Sequence, residues 1–326
     1  MIKMSYREAI RQAMMEEMER DPDVVLIGED VGCYGGCFQV TPGMIERFGP
    51  QQVIETPVSE ECIVGVAVGA AIMGMKPIVE VMYGDFSTLA ADPLINHAAK
   101  IHFMSAGQQS VPLVYRTPMG SGTGAAAQHT QSLEALFTNV PGLKIVYPAT
   151  PADAKGLMKS AIRDPNPVLF FEHKLYGAED LVPAEDYLIP LGKADIKRQG
   201  SDVTIITYGK TVFTALEAAR ILEDDEISAE VLDLRSLRPL DTEAILSSAK
   251  KTGRVVVLHE APRFGGFAGE IISTIVEDLE AFSALKAPVA RVCGLDMPTP
   301  FNKHLEQQLP PSAKRIIDAV LAMFQG

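Results

Sequence analysis

The sequence predicts an α/β protein made of two three-layer domains, each a mostly parallel sheet covered by helices. Three observations predict it. Short apolar runs such as VVLI, PIVEVM, PVLFFE and VVVL alternate with amphipathic stretches of helical period along the whole chain. The 326 residues are 47% apolar and 22% charged, which suits well-packed domains and not a disordered chain. The alternation weakens once, in the Pro-punctuated acidic stretch between Tyr176 and Asp195, and so divides the chain into residues 1–180 and 195–326.

Taken in order, Ser5-x-x-Glu8 is a capping box that opens a helix with Tyr6, Ile10, Ala13, Met14 and Met18 on one face. Val24 to Ile27 is a strand that runs into GEDVGCYGGCFQVTPG, a glycine-rich loop carrying the acidic pair Glu29-Asp30. Gln52 to Glu55 leads into a helix over Cys62–Met75 without a charged residue, too short to span a bilayer and expected in a soluble core. Ser59 is its expected N-cap, and Glu60 and Glu61 fall in its first turn. Pro77 to Met82 is a strand ending at Tyr83-Gly84-Asp85-Phe86, and a helical region to about Met104 is expected to restart at Pro93 with Asp92 as cap. Strands follow at Val111 to Tyr115, Leu143 to Tyr147 and Pro167 to Glu172, with a helix capped by Thr150 before Pro151 between the last two. The second half reads as strands at 203–208, 229–234, 255–260 and 289–292, with helices over 212–222, 242–250 and about 269–279, and a last one from Ser312.

Composition excludes several roles. A net charge of -13 argues against nucleic acid or an anionic membrane as partner. No transmembrane candidate and no apolar signal segment is present, and four scattered cysteines do not make a disulfide framework, so a cytoplasmic protein is expected. Cys33 and Cys37 lack a further Cys pair or His, which disfavours zinc. The loose G-x-G-x-x-A of Gly120, Gly122 and Ala125 lacks the later acidic strand end of a dinucleotide site. Gly209-Lys210-Thr211 imitates the end of a phosphate loop, but Thr204 stands where its first glycine belongs. Two features stay open at this level. Glu60 and Glu61 either decorate a helix N-terminus or include a carboxyl placed for proton chemistry, favoured in its charged form by the helix dipole and opposed by burial. His129, among small residues in a loop, is either structural or free to reach into a pocket.

Taken together, GEDVGCYGGCFQVTPG, ETPVSEECIVGVAVGAA, GAAAQHTQSLEALF, PGLKIVYPATPADAKGLMKSAIRDPNPVLFFEHK and AEVLDLRSLRPLD closely resemble the β subunit of the E1 component of 2-oxo acid dehydrogenase complexes, in order and over nearly the whole chain. The resemblance implies a thiamine diphosphate pyrimidine-binding domain over 1–180 and a transketolase-C-like domain over 195–326. It implies an α₂β₂ heterotetramer in which the α subunit holds most of the Mg²⁺–diphosphate, through Gly-Asp-Gly and paired asparagines. This sequence contains neither motif. It implies oxidative decarboxylation of a 2-oxo acid, with the acyl group passed to a lipoyl-bearing E2.

Residue by residue, the catalytic glutamate of the family falls on Glu60, the aromatic against the pyrimidine on Phe86, and the histidine of the later steps on His129. A monovalent cation such as K⁺ would fall at Leu113, Ala161, Ile162, Asp164 and Asn166. Pro93 and Ala106 depart from the usual glutamine and glycine, and Pro93 bears on the shape of the following helix. Gln128 before His129 resembles the pyruvate and acetoin branches, so pyruvate is favoured, with acetoin dehydrogenase as the first alternative. The small subunit of a split transketolase is the alternative from another enzyme class, and a subunit that only assembles a complex is the non-enzymatic one. Glu60 and His129 together argue against the last.

Overall fold

A computed structural model of the protein describes residues 1–325. The chain forms two compact units, Met1–Met119 with Leu136–Leu191, and Gly120–Ala135 with everything from Gly192 onward. The interval Gly120–Ala135, which precedes the Pro-punctuated boundary in sequence, thus belongs with the second unit.

The elements of the first unit follow one another as β1 (Ile2–Ser5), α1 (Tyr6–Arg20), β2 (Val24–Gly28), α2 (Met44–Phe48), β3 (Val53–Glu55), α3 (Glu60–Ile72), β4 (Lys76–Glu80), α4 (Ile101–Met104), β5 (Val114–Met119), α5 (Glu134–Thr138, whose first two residues count with the second unit), β6 (Lys144–Val146), α6 (Pro151–Arg163), β7 (Val168–His173) and β8 (Glu179–Val182). Its main sheet runs β6-β7-β5-β4-β2-β3, and every one of these pairings is parallel. All residues of β2, β5 and β7 are buried, as expected of parallel strands covered on both faces. Helices α1 and α6 pack together on one face, where Tyr6, Ile10, Met14, Leu157 and Met158 join Leu26, Ile78 and Phe170 in one core. The Ser5–Glu8 capping box forms as the sequence requires, with Ser5 N–H donating to Glu8 Oε2 at 2.7 Å. The Thr150 cap forms as well, its Oγ1 accepting from the Asp153 amide at 3.1 Å.

The second unit contains β9 (Asp195–Arg198), β10 (Val203–Thr207), α7 (Thr211–Leu222), β11 (Ala229–Asp233), β12 (Ser236–Arg238), α8 (Thr242–Thr252), β13 (Val255–Pro262), α9 (Ala268–Glu277), α10 (Leu279–Ala284), β14 (Ala290–Gly294), α11 (Lys303–Glu306) and α12 (Ala313–Ala322). Its sheet has the order β14-β13-β10-β11-β9, parallel except for β9. Helices α7 and α12 bury Ala215, Ala219, Ile316 and Val320 against Ile205, Val231 and Leu258 of the sheet.

Several expectations are corrected. The strand expected from Val111 begins at Val114, and the antiparallel ribbon of β1 with β8 was not anticipated. Asp92 does not cap the segment after it, because its own backbone is already helical (φ -61, ψ -56) and its carboxylate turns to Asn96 and His97 instead. Pro93–Ala98 is a π-helical segment, a separate turn ahead of α4. Ser59 sits at the N-cap of α3 without a side-chain cap bond. Helix α3 is buried along one face only: Ile63, Val64, Ala67, Val68 and Ala71 face the core, whereas Gly65, Val66 and Gly69 are exposed.

Candidate active site

The carboxyl ends of parallel strands are where an open α/β sheet places ligands. In the first unit the register aligns Gly28 with both Glu55 and Glu80, so β2, β3 and β4 end side by side. The segments leaving them carry the candidate residues. Glu29 follows β2, Glu60 opens α3 after β3, and Phe86 lies in the 3₁₀ turn Gly84–Thr88 after β4. That turn lies tight against β5. A Cβ on Gly84 would stand 2.6 Å from Met119 Cγ and 3.1 Å from the Pro118 carbonyl, so only glycine lets the backbone come so close.

Burial separates the two adjacent carboxylates. Glu60 is 8% exposed, whereas Glu61 is exposed and lines a surface groove beside Gly65 and Gly69. Glu29 is also buried, and its Oε1 has no hydrogen-bond partner among the described residues. Burial pushes the Glu29 carboxyl up, and the Glu60 charge pushes it further. Of the two carboxyls at the mouth of the sheet, Glu29, with an unused buried oxygen, is the one that burial inclines to keep its proton. Phe86 is half-buried and meets Tyr83 edge to face at 6.0 Å between ring centroids.

Beneath the mouth lies a buried charge cluster that reading the sequence missed. Arg116, 1% exposed, grips Glu172 in two-pronged fashion (2.7 and 3.0 Å), and its Nη1 donates to Glu80. Tyr176 OH also donates to Glu172, at 2.5 Å. Burial pushes the Glu80 carboxyl up, and Arg116 offsets this only in part. Arg116 lies far in sequence from both of its carboxylates, and no local motif announces the cluster.

His129 is half-buried in the second unit, on a loop closed at its base by the Gly120 N–H donating to the Gln131 carbonyl at 3.2 Å. A cleft of about 510 Å³ adjoins this loop and is walled by Gln128, Glu260, Asp296, Met297 and Leu309. Five residues after His129, Glu134 is 1% exposed and accepts from Tyr208 OH at 2.8 Å; burial raises its carboxyl to about 7. In sequence it signals no more than the start of a helix.

Residues 2–177 match the family model of the transketolase pyrimidine-binding domain, and residues 192–316 match that of the transketolase C-terminal domain. A 2-oxoisovalerate dehydrogenase β subunit of Bacillus subtilis is 50% identical over 93% of each chain. A pyruvate dehydrogenase E1 β subunit of Rickettsia felis is 47% identical over 98% of each. The chain belongs to the E1 β-subunit family of 2-oxo acid dehydrogenases. A pyruvate dehydrogenase E1 β subunit of Saccharomyces cerevisiae is 45% identical and extends the likeness to a mitochondrial relative, with 97% of this chain and 88% of that one covered. Among solved structures, a split-gene transketolase described as an inactive β4 tetramer superposes with a TM-score of 0.81 at 24% identity, covering 99% of this chain and 98% of that one, which shows the shared fold.

For an E1 β subunit, the residues present fit one part of a thiamine diphosphate. The buried Glu60 and the half-buried Phe86 suit an uncharged aromatic ring with a protonatable nitrogen. Among the described residues no group of three or more His, Cys, Asp or Glu side chains is arranged to hold a metal ion. At the positions where the resemblance would put a monovalent cation, the Leu113 carbonyl accepts from Val168 N–H at 2.8 Å, and the Ala161 carbonyl accepts from Asp164 N–H at 3.2 Å. Asp164 pairs with Lys144 at 2.5 Å, so a lysine already supplies a positive charge to that carboxylate. Asp164 Oδ1 also accepts from Asn166 N–H at 2.9 Å.

Proposed function

We propose that this E1 β subunit works with an α subunit, as α₂β₂, in the thiamine diphosphate-dependent oxidative decarboxylation of a 2-oxo acid, pyruvate being favoured, with acyl transfer to a lipoyl-bearing E2. The observation that carries the reading is the placement of Glu60, buried at the sheet mouth beside Glu29 while its neighbour Glu61 is exposed. The names of the pyruvate dehydrogenase relatives support the substrate class.

When bound, thiamine diphosphate supplies a carbanion able to attack a 2-oxo carbon. Glu60 would hold a proton at the aminopyrimidine ring nitrogen, and its burial keeps that proton shared instead of lost to water. Phe86 would pack against the ring. His129 would move protons in the steps after decarboxylation or guide the lipoyl arm. Mg²⁺ and the diphosphate would be held mainly by the α subunit; a K⁺ at the carbonyls of Leu113, Ala161 and Ile162 with Asp164 and Asn166 would have to share Asp164 with Lys144. The proposal assigns cofactor-ring binding to residues 1–180 and assembly to 195–326. It also places the enzyme in the cytoplasm. In its support, all four cysteines are free and no helix among the described residues is long and apolar enough to cross a membrane.

A branched-chain substrate is the second reading, favoured by the 50% identity to the Bacillus subtilis 2-oxoisovalerate dehydrogenase β subunit. The test combines purified chain with its α partner and measures oxidation of pyruvate and of 3-methyl-2-oxobutanoate with an artificial electron acceptor. Faster turnover of pyruvate upholds the first reading, faster turnover of the branched acid replaces it with the second, and no oxidation of either overturns both.

A further inference from the structure

The glycine-rich stretch ahead of His129 resembles an anion-binding loop, and the second unit uses it as one. Gly122 and Gly124 have φ of 121° and 72°, left-handed values open to glycine at little cost. Their amides turn to one side and donate to a single carboxylate: Gly122 N–H to Glu306 Oε1 at 2.8 Å, and Gly124 N–H to Glu306 Oε2 at 2.9 Å. Paired backbone N–H groups in such turns form a concavity that takes an anion. Here the anion is a side chain of the same chain, 2% exposed.

Glu306 is itself held firmly. It ends α11, whose first turn is capped by Asn302 Oδ1 accepting from the His304 and Leu305 amides at 2.9 and 3.2 Å. Lys303 of the same turn lies against Gly124, where a Cβ would stand 2.9 Å from Lys303 Cε. Just upstream, the Ser121 amide donates to Glu260 Oε1 at 2.7 Å, and Lys210 Nζ donates to that same oxygen at 2.8 Å and to the Ser121 carbonyl at 3.0 Å. The lysine of the discarded phosphate-loop look-alike and the glycines of the discarded dinucleotide pattern therefore serve one structure. Glu260 and Glu306 pin Ser121, Gly122 and Gly124, leaving His129 on the continuation of a loop whose first half is fixed.

We propose that Glu306 is a positioning residue for His129, its carboxylate setting the course of the loop that carries the histidine. The proposal rests on the role given to His129 above. Its chemistry needs both oxygens. Each charge-assisted bond to an amide is stronger than a neutral one. In Glu306→Gln the side chain keeps its size, but one acceptor becomes an NH₂ that faces a backbone N–H, leaving that donor without its partner on the buried side chain.

The test uses the α-containing holoenzyme. In Glu306→Gln, deuterium exchange at the Gly122 and Gly124 amides should be faster by up to roughly tenfold, the equivalent of one lost hydrogen bond. Acyl transfer to a lipoyl domain should fall by about tenfold, while proton exchange at thiamine C2 stays at the wild-type rate. Glu306→Asp keeps both oxygens on a shorter stem and should recover part of the transfer. Glu306→Gln added to His129→Ala should cost nothing further, because a residue acting through the histidine has no effect without it. Unchanged amide exchange, full transfer in Glu306→Gln where His129→Ala is impaired, or multiplying losses in the double variant would each overturn the proposal. Should His129→Ala transfer acyl groups at full rate, the reading of His129 is what falls, and unchanged amide exchange is then the result that overturns the anchoring by itself.

Discussion

Glu60 and Glu61 are adjacent in the same first turn of α3 and meet opposite environments, which is why they should respond differently to the same substitution. Glu60→Gln should retain the fold and lower turnover by roughly the hundredfold typical of a lost acid–base group, and Glu61→Gln should leave turnover close to wild type. Steady-state rates of the two variants decide, and the reverse order would show that the wrong carboxylate has been assigned. Glu134 gives a second test at this scale. Its folded-state value of about 7 stands above the ordinary 4.5, so between those values the folded chain keeps a proton that the unfolded chain releases. Stability from this group is therefore complete below pH 4.5 and is lost as pH rises through 7, by up to about 3 kcal/mol. Glu134→Gln, which can still accept from Tyr208, should flatten that part of the pH profile and be the more stable form at pH 8. Urea midpoints of both proteins at pH 5 and pH 8 check this; parallel profiles would count against it. The sequence placed Glu60 and Glu61 on a helix start, but it could not say which was buried. That depends on how α3 is rotated against β4, a matter of packing and not of local pattern.

The elements most legible in the sequence are those specified by local chemistry. Helix α1 has its capping box and a complete apolar face, and the Thr150–Pro151 start of α6 has its cap bond. Ser5→Ala should cost about 1 kcal/mol, read as a lowered denaturation midpoint, since the Glu8 amide loses its acceptor while the residue 5 amide keeps its bond to the Glu8 carboxylate. The Asp92 cap failed because the carboxylate had nearer partners in Asn96 and His97, an alternative that a capping pattern does not reveal. Strands β1 and β8 escaped notice because they are short and largely exposed, without the apolar run that marks the central strands. Helix α3 offers a contrast between the chain alone and the assembly. A Cβ at Gly69 would meet nothing within 4 Å, so Gly69→Ala should stabilise the isolated chain by up to about 1 kcal/mol through helix propensity. If α3 is approached by another backbone in the proposed heterotetramer, Gly69→Leu should weaken assembly at the same time. Calorimetric melting of the chain and sedimentation of the mixture with α subunit measure the two effects, and unimpaired assembly of Gly69→Leu would remove α3 from the interface.

At the scale of the whole molecule, the strand and helix alternation specified two sheets, and both are present with the expected parallel character. The grouping of Gly120–Ala135 with the second unit was not legible, because the loop is tied down by Glu260 and Glu306, more than a hundred positions further along the chain. The chain by itself should bind thiamine diphosphate weakly and turn over no substrate, because the charged end of the cofactor needs oxygen ligands for Mg²⁺. Calorimetry giving tight, stoichiometric binding without α subunit would contradict this. The cluster of Glu80, Arg116 and Glu172 has a consequence for how such a chain can change over time. Replacing Arg116 alone strands two buried carboxylates, and replacing either glutamate alone leaves the guanidinium short of a partner, at a cost of about 3–5 kcal/mol. Exchanging all three for apolar residues of matched volume would strand no charge and would cost less, the Tyr176 hydroxyl being the group left without its Glu172 partner. Each single step downhill is steep while the far side is shallower, so mutation one residue at a time cannot cross. The three positions are therefore expected to change together or not at all, which comparing positions 80, 116 and 172 across relatives would check.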